Sequence, residues 1–256
     1  MEGDTAGDKG ASMMCVHCGT SARSVYVEYS PGNIRLSTCA RCHSPVDEYV
    51  EYETLIVVID AILHKPEAYR HLFFNYPELH RFNLLNLIWK AILVDLLLDT
   101  CRCALQQGIG NKEVIQWDSL TSFVSTLGKV VAQMSCLNCA FQLFLFLAVH
   151  AWPRREPDVN LKSKHILLAV LLSSHFKLVV FAMLVWEFSP LMNFTIDMLV
   201  FSSNIVAMKV MLKTTTAHAA VAIMSGAAAK TFVATLLGIS ALNLFNLGKF
   251  YSRLWT

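Results

Sequence analysis

The stretch CVHCGTSARSVYVEYSPGNIRLSTCARC, which runs from Cys15 to Cys42, decides the fold of the first part of this chain. It contains two C-x-x-C pairs separated by twenty residues, a spacing at the edge of the range typical of zinc ribbons. Zinc prefers four soft donors in a tetrahedron, and each pair can supply two thiolates from one tight turn. We therefore predict that Cys15, Cys18, Cys39 and Cys42 hold one structural zinc ion.

The residues between the two pairs have the pattern of a β-hairpin. SVYVEYS and IRLST each alternate polar and apolar residues, and SPGN, from Ser30 to Asn33, has the composition of a turn. Gly19 follows the first pair, where a turn requires a residue that accepts positive φ. A module of about 35 residues buries too little apolar surface to fold alone, so bound metal would supply much of its stability.

The alternatives to structural zinc are two disulfides, a catalytic metal or a nucleic-acid-binding ribbon. The first 14 residues contain acidic residues and no apolar core, unlike a secretory signal, so we expect a short disordered leader in the reducing cytosol. Four thiolates leave no open coordination position for catalysis. The net charge of +2, without a basic and aromatic cluster near the cysteines, argues against nucleic acid.

Composition separates this module from the rest of the chain. Hydrophobic residues make up 55% of the protein and charged residues only 16%, against about 25% charged in ordinary soluble domains. Residues 1–83 carry 7 basic and 11 acidic side chains, whereas residues 84–256 carry 14 and 8. We predict a small N-terminal zinc-ribbon-like β-hairpin module followed by an all-α polytopic transmembrane bundle.

A bridge joins the two predicted parts. We expect a disordered leader at 1–14, a zinc module at 15–53 with a strand-like acidic end from Asp47 to Glu53, and an amphipathic, interfacial bridge at 54–83. A helical pattern begins at Leu55, and Pro66 should break or restart that helix. YRHLFFN, from Tyr69 to Asn75, suits a membrane–water boundary; the alternative is that it packs onto the zinc module.

The order of these motifs resembles the Arv homology domain. The two C-x-x-C pairs, YSPGNIRL, DEYVE and IDAILHKPEAYRHLFFN carry the resemblance over Cys15 to Asn75, and SSHFKLVVFAMLVWEF and SSNIVAMKVM extend it less strictly. The chain therefore resembles the Arv family of endoplasmic-reticulum membrane proteins of lipid homeostasis. The resemblance implies a role in sterol movement out of that compartment, with effects on sphingolipid balance and on delivery of glycosylphosphatidylinositol-anchor intermediates.

Four or five membrane spans are predicted from residue 84 onward, since a span needs about 20 apolar residues. Four of them are Leu84–Leu105, Ser122–Ala148, Ile166–Phe188 and Ile196–Leu212; the fifth segment, Ala217–Leu247, either crosses the membrane or is partly re-entrant. The loop 151–165 has four basic residues and the loop 106–118 has one. Basic loops favour the cytosol, which places the N-terminus there too in a multi-pass endoplasmic-reticulum protein.

Several charged residues fall inside these predicted spans, where they are costly and must face the bundle interior or the interface. They include Lys90, Asp95, Lys129, His175, Lys177, Asp197 and Lys230, and Asp99 shares a helix face with Asp95. His175, Lys177 and Asp197 are the candidates for a polar cleft that binds a lipid headgroup or a sterol hydroxyl. The alternative for each is interhelical pairing. CLNC, from Cys136 to Cys139, is expected to pack between helices as small apolar side chains.

The sequence favours a protein that is not an enzyme. It contains no G-x-S-x-G, no H-E-x-x-H and no phosphate-binding glycine loop. Sterols and other membrane lipids are the expected partners, with lipid-synthesis enzymes or an anchor-synthesis complex as further ones and nucleic acid excluded. The alternatives are an adaptor that assembles a lipid-synthesis complex through its zinc module, and an acyltransferase-like enzyme that uses His175.

Overall fold

The chain folds into two compact units, Met1–Leu84 and Leu85–Thr256. A computed structural model describes residues 13–76, 83–110, 120–151, 163–178 and 190–238. The division between the units lies next to residue 84, where the transmembrane part was predicted to begin. The predicted leader lies outside the described residues except for Met13 and Met14, which form a strand rather than a disordered end.

Two small antiparallel ladders form the β part of the first unit. Strand β1 (Met13–Met14) pairs with β2 (Ser21–Ala22), and β3 (Tyr26–Ser30) pairs with β4 (Asn33–Leu36). The second ladder is the predicted hairpin, and Gly32 adopts φ +82° in its turn, as a tight connection requires. The first ladder was not predicted, because two-residue strands leave no periodic pattern in a sequence.

Helical segments complete the first unit. A short 3-10 helix at Glu48–Val50 is followed by α1 (Thr54–Ile62), by α2 (Pro66–Arg70) and by a π-helical turn at His71–Asn75. Pro66 begins α2 at its first position, so the predicted break at this proline is confirmed.

The predicted strand from Asp47 to Glu53 was wrong. The Asp47 carboxylate accepts a hydrogen bond from the Tyr49 backbone amide at 3.0 Å, which caps the 3-10 helix at its N-terminus. Local capping by an aspartate competes with strand geometry, and here it prevails.

Aromatic residues of the YRHLFFN stretch lie inside this unit. Tyr69, His71 and Phe73 are buried, and the Tyr69 hydroxyl donates to the Ala61 carbonyl at 3.1 Å. The stretch therefore packs onto the rest of the N-terminal unit, as the second of the two predicted alternatives requires.

The described residues of the second unit are helical except for the turns at 213–215 and 237–238. It comprises α3 (Leu84–Gly110), α4 (Leu120–Ala151), α5 (Ser163–Ser173) with a 3-10 extension at Ser174–Leu178, α6 (Pro190–Leu212) and α7 (Thr216–Leu236). Apolar side chains of α4, α5, α6 and α7 form one core, which includes Leu145, Val170, Met208 and Ile223. A second cluster, with Leu137 and Ala234, joins α4 to α7 beside Leu96 of α3.

Three of the described helices are long and apolar enough to cross a membrane: Val124–Ala151, Phe194–Leu212 and Thr216–Leu236. These match the second, fourth and fifth predicted spans, although residues 239–247 of the fifth lie outside the described residues. The first predicted span forms a helix, but this helix has too many charged residues to count as a membrane-spanning helix by composition. Only 166–178 of the third span is described. The predicted total of four to five spans is thus not confirmed.

Candidate functional sites: a cysteine cluster and a buried charge cluster

Two turns of the same geometry position the four N-terminal cysteines. In the first turn the Gly19 amide donates to the Cys15 carbonyl at 2.9 Å, and in the second the His43 amide donates to the Cys39 carbonyl at 3.0 Å. The residue after each pair has positive φ, +73° at Gly19 and +60° at His43. The predicted role of Gly19 is therefore confirmed, and His43 fills the equivalent position without the conformational freedom of glycine.

The four sulfur atoms converge at one point. Cys15 Sγ lies 3.7 Å from Cys42 Sγ, and Cys18 Sγ lies 3.6 Å from Cys39 Sγ. All four lie within 4.8 Å of one another and could hold a metal ion. Each close pair contains one cysteine from each turn. A bound ion would therefore connect the turn that precedes the hairpin to the turn that follows it.

The pKa values of the cysteine thiols are shifted in different directions. Burial raises the pKa of Cys15 to about 12. A hydrogen bond with the Thr20 hydroxyl lowers the pKa of Cys18 to about 6, and the backbone amide of Cys42 lowers the pKa of Cys39. A cation among the sulfurs would favour the thiolate form at all four positions, since opposite charge stabilises the ionised state.

A buried polar network fastens the cysteine turns to the helical part of the same unit. Asp47, which is 0% exposed, accepts from His71 Nδ1 at 2.7 Å and from Asn75 Nδ2 at 2.6 Å. The Arg70 guanidinium donates to the carbonyls of Val16 and His17, between the first two cysteines. The described part of the predicted bridge, residues 54–76, is thus part of one folded unit with the cysteine cluster.

The second unit contains a buried charge cluster, which we define as the buried Asp95, Asp99 and Lys177 together with the half-buried Asn138 and Lys230. Lys177 Nζ lies between two carboxylates of α3, 2.8 Å from Asp95 and 2.9 Å from Asp99. Asn138 of α4 donates to Asp99 at 2.9 Å and accepts from Lys230 of α7 at 3.1 Å. The cluster joins helices α3, α4 and α7 to the end of the α5 segment.

A second ion pair joins α3 to α6. Both terminal nitrogens of Arg102 donate to the Asp197 carboxylate, at 2.6 and 2.7 Å. This bidentate geometry is the strongest that an arginine and a carboxylate form.

These contacts place the predicted site residues. Lys177 and Asp197 are both paired between helices, which was the alternative to a lipid-binding role; a lipid role for either stays a prediction. The side chain of His175 lies outside the described residues. Lys90 and Lys129 are exposed on their helices. Cys136 and Cys139 are exposed on α4 instead of packing between helices.

Two members of these polar contacts, Arg102 and Asn138, were not predicted. Asp95, Asp99 and Arg102 recur at spacings of four and three residues, which place them on one helix face. That spacing was visible in the sequence and could have identified Arg102. Nothing comparable marked Asn138, whose partners come from two other helices.

A cysteine cluster on a small β and helical unit, followed by apolar helices joined by buried charges, defines a membrane protein whose N-terminal unit could hold a metal ion. The model of the Arv1-like family matches residues 14–208. The chain belongs to the Arv1-like family.

Relatives of this family extend over most of the chain. Protein ARV 2 of Arabidopsis thaliana is 40% identical over 204 residues, which cover 80% of this chain and 86% of the relative. Protein arv1 homolog of Dictyostelium discoideum is 30% identical and covers 91% and 96%, respectively. Protein ARV1 of Mus musculus is 30% identical and covers 88% and 83%. No solved structure matches this chain.

Proposed function

We propose that this protein acts in sterol homeostasis at the endoplasmic reticulum. It would take part in intracellular sterol uptake and in sterol distribution among membranes, with effects on sphingolipid metabolism and on delivery of glycosylphosphatidylinositol-anchor intermediates. Membership of the Arv1-like family supports the lipid role through the resemblance of the motifs between Cys15 and Asn75. The observation that carries a lipid-handling mechanism is the buried charge cluster, because ionisable residues among membrane helices are costly and mark ligand pathways.

Lys230 is the member of the cluster best suited to contact a lipid. Its side chain is 26% exposed, whereas those of Lys177 and Asp99 are 10% and 7% exposed. Lys230 Nζ lies 3.9 Å from Asp99 and 3.1 Å from Asn138, so its ammonium retains donor capacity. A sterol hydroxyl placed there would accept from Lys230, and the apolar ring system would lie along α4 and α7.

Photoreactive sterol labelling tests this role. The full-length protein in microsomes is expected to incorporate the probe into peptides of α4 and α7 near Asn138 and Lys230. Lys230→Met should reduce labelling, and Lys129→Met should leave it unchanged because Lys129 is exposed on α4. Labelling no higher than that of an unrelated membrane protein, or equal in the two variants, would contradict direct sterol binding.

A structural zinc ion in the N-terminal unit is the second part of the proposal. A tetrahedron with zinc–sulfur bonds of about 2.3 Å has edges of about 3.8 Å, close to the observed sulfur separations of 3.6 and 3.7 Å. The four residues would hold the ion and leave no position open for substrate, so its contribution is stability. Metal analysis of the purified protein should find about one zinc per chain, and a zinc-free folded protein would contradict this assignment.

The adaptor function is the main alternative and is supported by the rigid attachment of Arg70 and Asn75 to the cysteine turns. Cys39→Ser would then abolish co-purification of lipid-synthesis or anchor-synthesis enzymes, while sterol labelling of the helical unit persists. Loss of labelling with retained partners would favour the direct role.

We further propose that the protein has no catalytic activity. An assay of acyl transfer to a sterol should detect no product with the purified protein, whereas acyl transfer that is lost in His175→Ala at normal abundance would support an acyltransferase-like enzyme. A cytosolic N-terminus is tested by modification of the cysteines by a membrane-impermeant maleimide in intact microsomes after chelation. Protection of these cysteines until detergent is added would place them in the lumen.

A further inference from the structure

Helix α1 of the N-terminal unit exposes an aliphatic face, which we define as the six side chains turned outward. Each of the six exposes between 39% and 65% of its surface. They are Leu55, Ile56, Val58, Ile59, Ile62 and Leu63. Between Thr54 and Leu63, this face contains no charged side chain.

The opposite, inward face of α1 contains the one charged side chain of the helix. Asp60 is buried, where its carboxylate accepts from the Tyr49 hydroxyl at 2.9 Å and pairs with Lys65 at 2.8 Å. Val57 and Ala61 are buried beside it. A surface helix of a soluble domain normally turns its apolar stripe inward and its polar residues outward. Helix α1 departs from this pattern, because its outward face is aliphatic and its only charged side chain, Asp60, is buried and bound to Tyr49 and Lys65.

The composition of the aliphatic face favours lipid over protein as its occupant. Protein interfaces are enriched in aromatic, methionine and arginine side chains that fix a register. The face between Leu55 and Leu63 offers only branched aliphatic groups, which can be buried in acyl chains without a specific partner. The absence of charge on the face fits a neutral, zwitterionic surface, because no basic residue is present to select anionic lipids.

A short stretch of sequence separates the N-terminal unit from α3. The π-helical turn ends at Asn75, and α3 begins at Leu84. The intervening residues can span no more than about 32 Å at full extension. Helix α3 is bound through Asp99 and Asn138 to α4, which contains a candidate membrane span. A short tether of this kind raises the effective concentration of the membrane surface at the unit.

We infer that the aliphatic face of α1 inserts into the surface of the lipid bilayer and docks the cysteine-bearing unit against it. The contact is independent of which lipid the helical unit binds, so it extends the proposed function without depending on it. It assigns the interfacial role predicted for residues 54–83 to α1 rather than to Tyr69–Asn75, where Tyr69 and Phe73 are buried in the unit.

Site-specific photocrosslinking to lipid tests the inference. The full-length protein carries a photoreactive benzoylphenylalanine in place of Ile59, or in place of Glu28, which is exposed on β3 as the matched control. Both are reconstituted into vesicles of phosphatidylcholine that contain a tagged phosphatidylcholine. Lipid attached at position 59 should exceed that at position 28 at least about fivefold, without anionic lipid and at high salt.

A second pair of variants checks that the aliphatic side chains cause the effect. Leu55→Ser with Leu63→Ser should lower lipid attachment at position 59 toward the control value, while Tyr29→Ser on the hairpin should not. Bound metal is measured in every variant to verify folding. Equal attachment at 59 and 28, or attachment at 59 only to another protein or to a second copy of this chain, would overturn the inference.

Discussion

The side chain of Asn75 pairs with both backbone groups of Met14. Its Nδ2 donates to the Met14 carbonyl at 2.7 Å, and its Oδ1 accepts from the Met14 amide at 2.8 Å. The same Nδ2 also donates to Asp47. The buried amide of Asn75, at the end of the π-helical turn, thus connects Met14, the residue before the first cysteine, with Asp47.

Asn75→Ala should destabilise the N-terminal unit. The substitution leaves the buried amide and carbonyl of Met14 and one oxygen of Asp47 without this partner, at a cost of about 2–4 kcal/mol. Release of bound metal to a chromophoric chelator should accelerate accordingly. Asn33→Ala, at an exposed position of the hairpin turn, is the control and should release metal at the wild-type rate. Equal rates in both variants would show that Asn75 does not hold the unit together.

Opposite effects are expected at the two equivalent turn positions. Gly19→Ala introduces a side chain at φ +73° and should cost about 1 kcal/mol, because the left-handed conformation disfavours a β-carbon. His43→Gly relieves the same strain at φ +60° and should be neutral or stabilising. Chelator-induced unfolding of the two variants measures both effects. A destabilised His43→Gly variant would mean that the His43 side chain makes a contribution larger than its backbone strain.

Alkaline pH should weaken the N-terminal unit through Tyr49. Burial, together with its hydrogen bond to Asp60, raises the pKa of Tyr49 above its usual value near 10, and the hydrogen bond to Asp60 also raises the pKa of Lys65. A group whose pKa is raised by folding stabilises the fold below its unfolded pKa and loses that contribution as the pH rises toward the folded value. Unfolding free energy should therefore fall above about pH 10.

Tyr49→Phe is the variant that checks this pH dependence. It removes the tyrosine contribution, so the decline above about pH 10 should become shallower, with Lys65 accounting for the remainder. At neutral pH the variant should lose about 1 kcal/mol, because Asp60 retains Lys65 as a partner. Parallel pH profiles for the wild type and Tyr49→Phe would contradict the assignment. Denaturant titration followed by metal release provides the measurement.

Close packing of α4 and α7 depends on Gly226. A β-carbon there would lie 3.0 Å from ring atoms of Phe141 and 3.1 Å from its carbonyl oxygen. Gly226→Leu should therefore separate the two helices and lower the thermal stability of the detergent-solubilised protein by several degrees, about 2–3 kcal/mol. Gly128→Leu on α4 is the matched control, since a β-carbon at that glycine would have no neighbouring atom within 4 Å. Equal losses would argue against this helix contact.

Removing Lys177 should leave two buried carboxylates without their shared cation. Lys177→Met is expected to cost about 3–5 kcal/mol, the usual consequence of an unpaired buried charge. Adding Asp95→Asn and Asp99→Asn to the same chain should recover most of this loss, because the neutral amides need no counterion. The fraction of protein that remains soluble after heating in detergent reports both steps. A triple variant no better than Lys177→Met would show that the ion pairs are not the reason for the loss.

Local patterns explain why the cysteine cluster and the hairpin were predictable. The C-x-x-C spacing, Gly19 and the SPGN turn each depend on residues a few positions apart, and the structure brings all four cysteines together. The positions of the helices after residue 84 were also predictable, because each predicted span is a long apolar run. The strand predicted at Asp47–Glu53 failed because a side-chain cap, which no alternation pattern reveals, favoured a 3-10 helix.

Long-range pairing explains the rest. Lys177 pairs with Asp95, which lies 82 positions away in the sequence, and Asn75 binds Met14, which lies 61 positions away. Periodicity places each residue on a face of its own helix but does not select which face of another helix it meets. The sequence by itself determined a four-cysteine turn pair at the front of an apolar helical chain. Only the tertiary structure decided which buried charges neutralise one another and that α1 turns its aliphatic side outward, because both depend on groups brought together from distant segments.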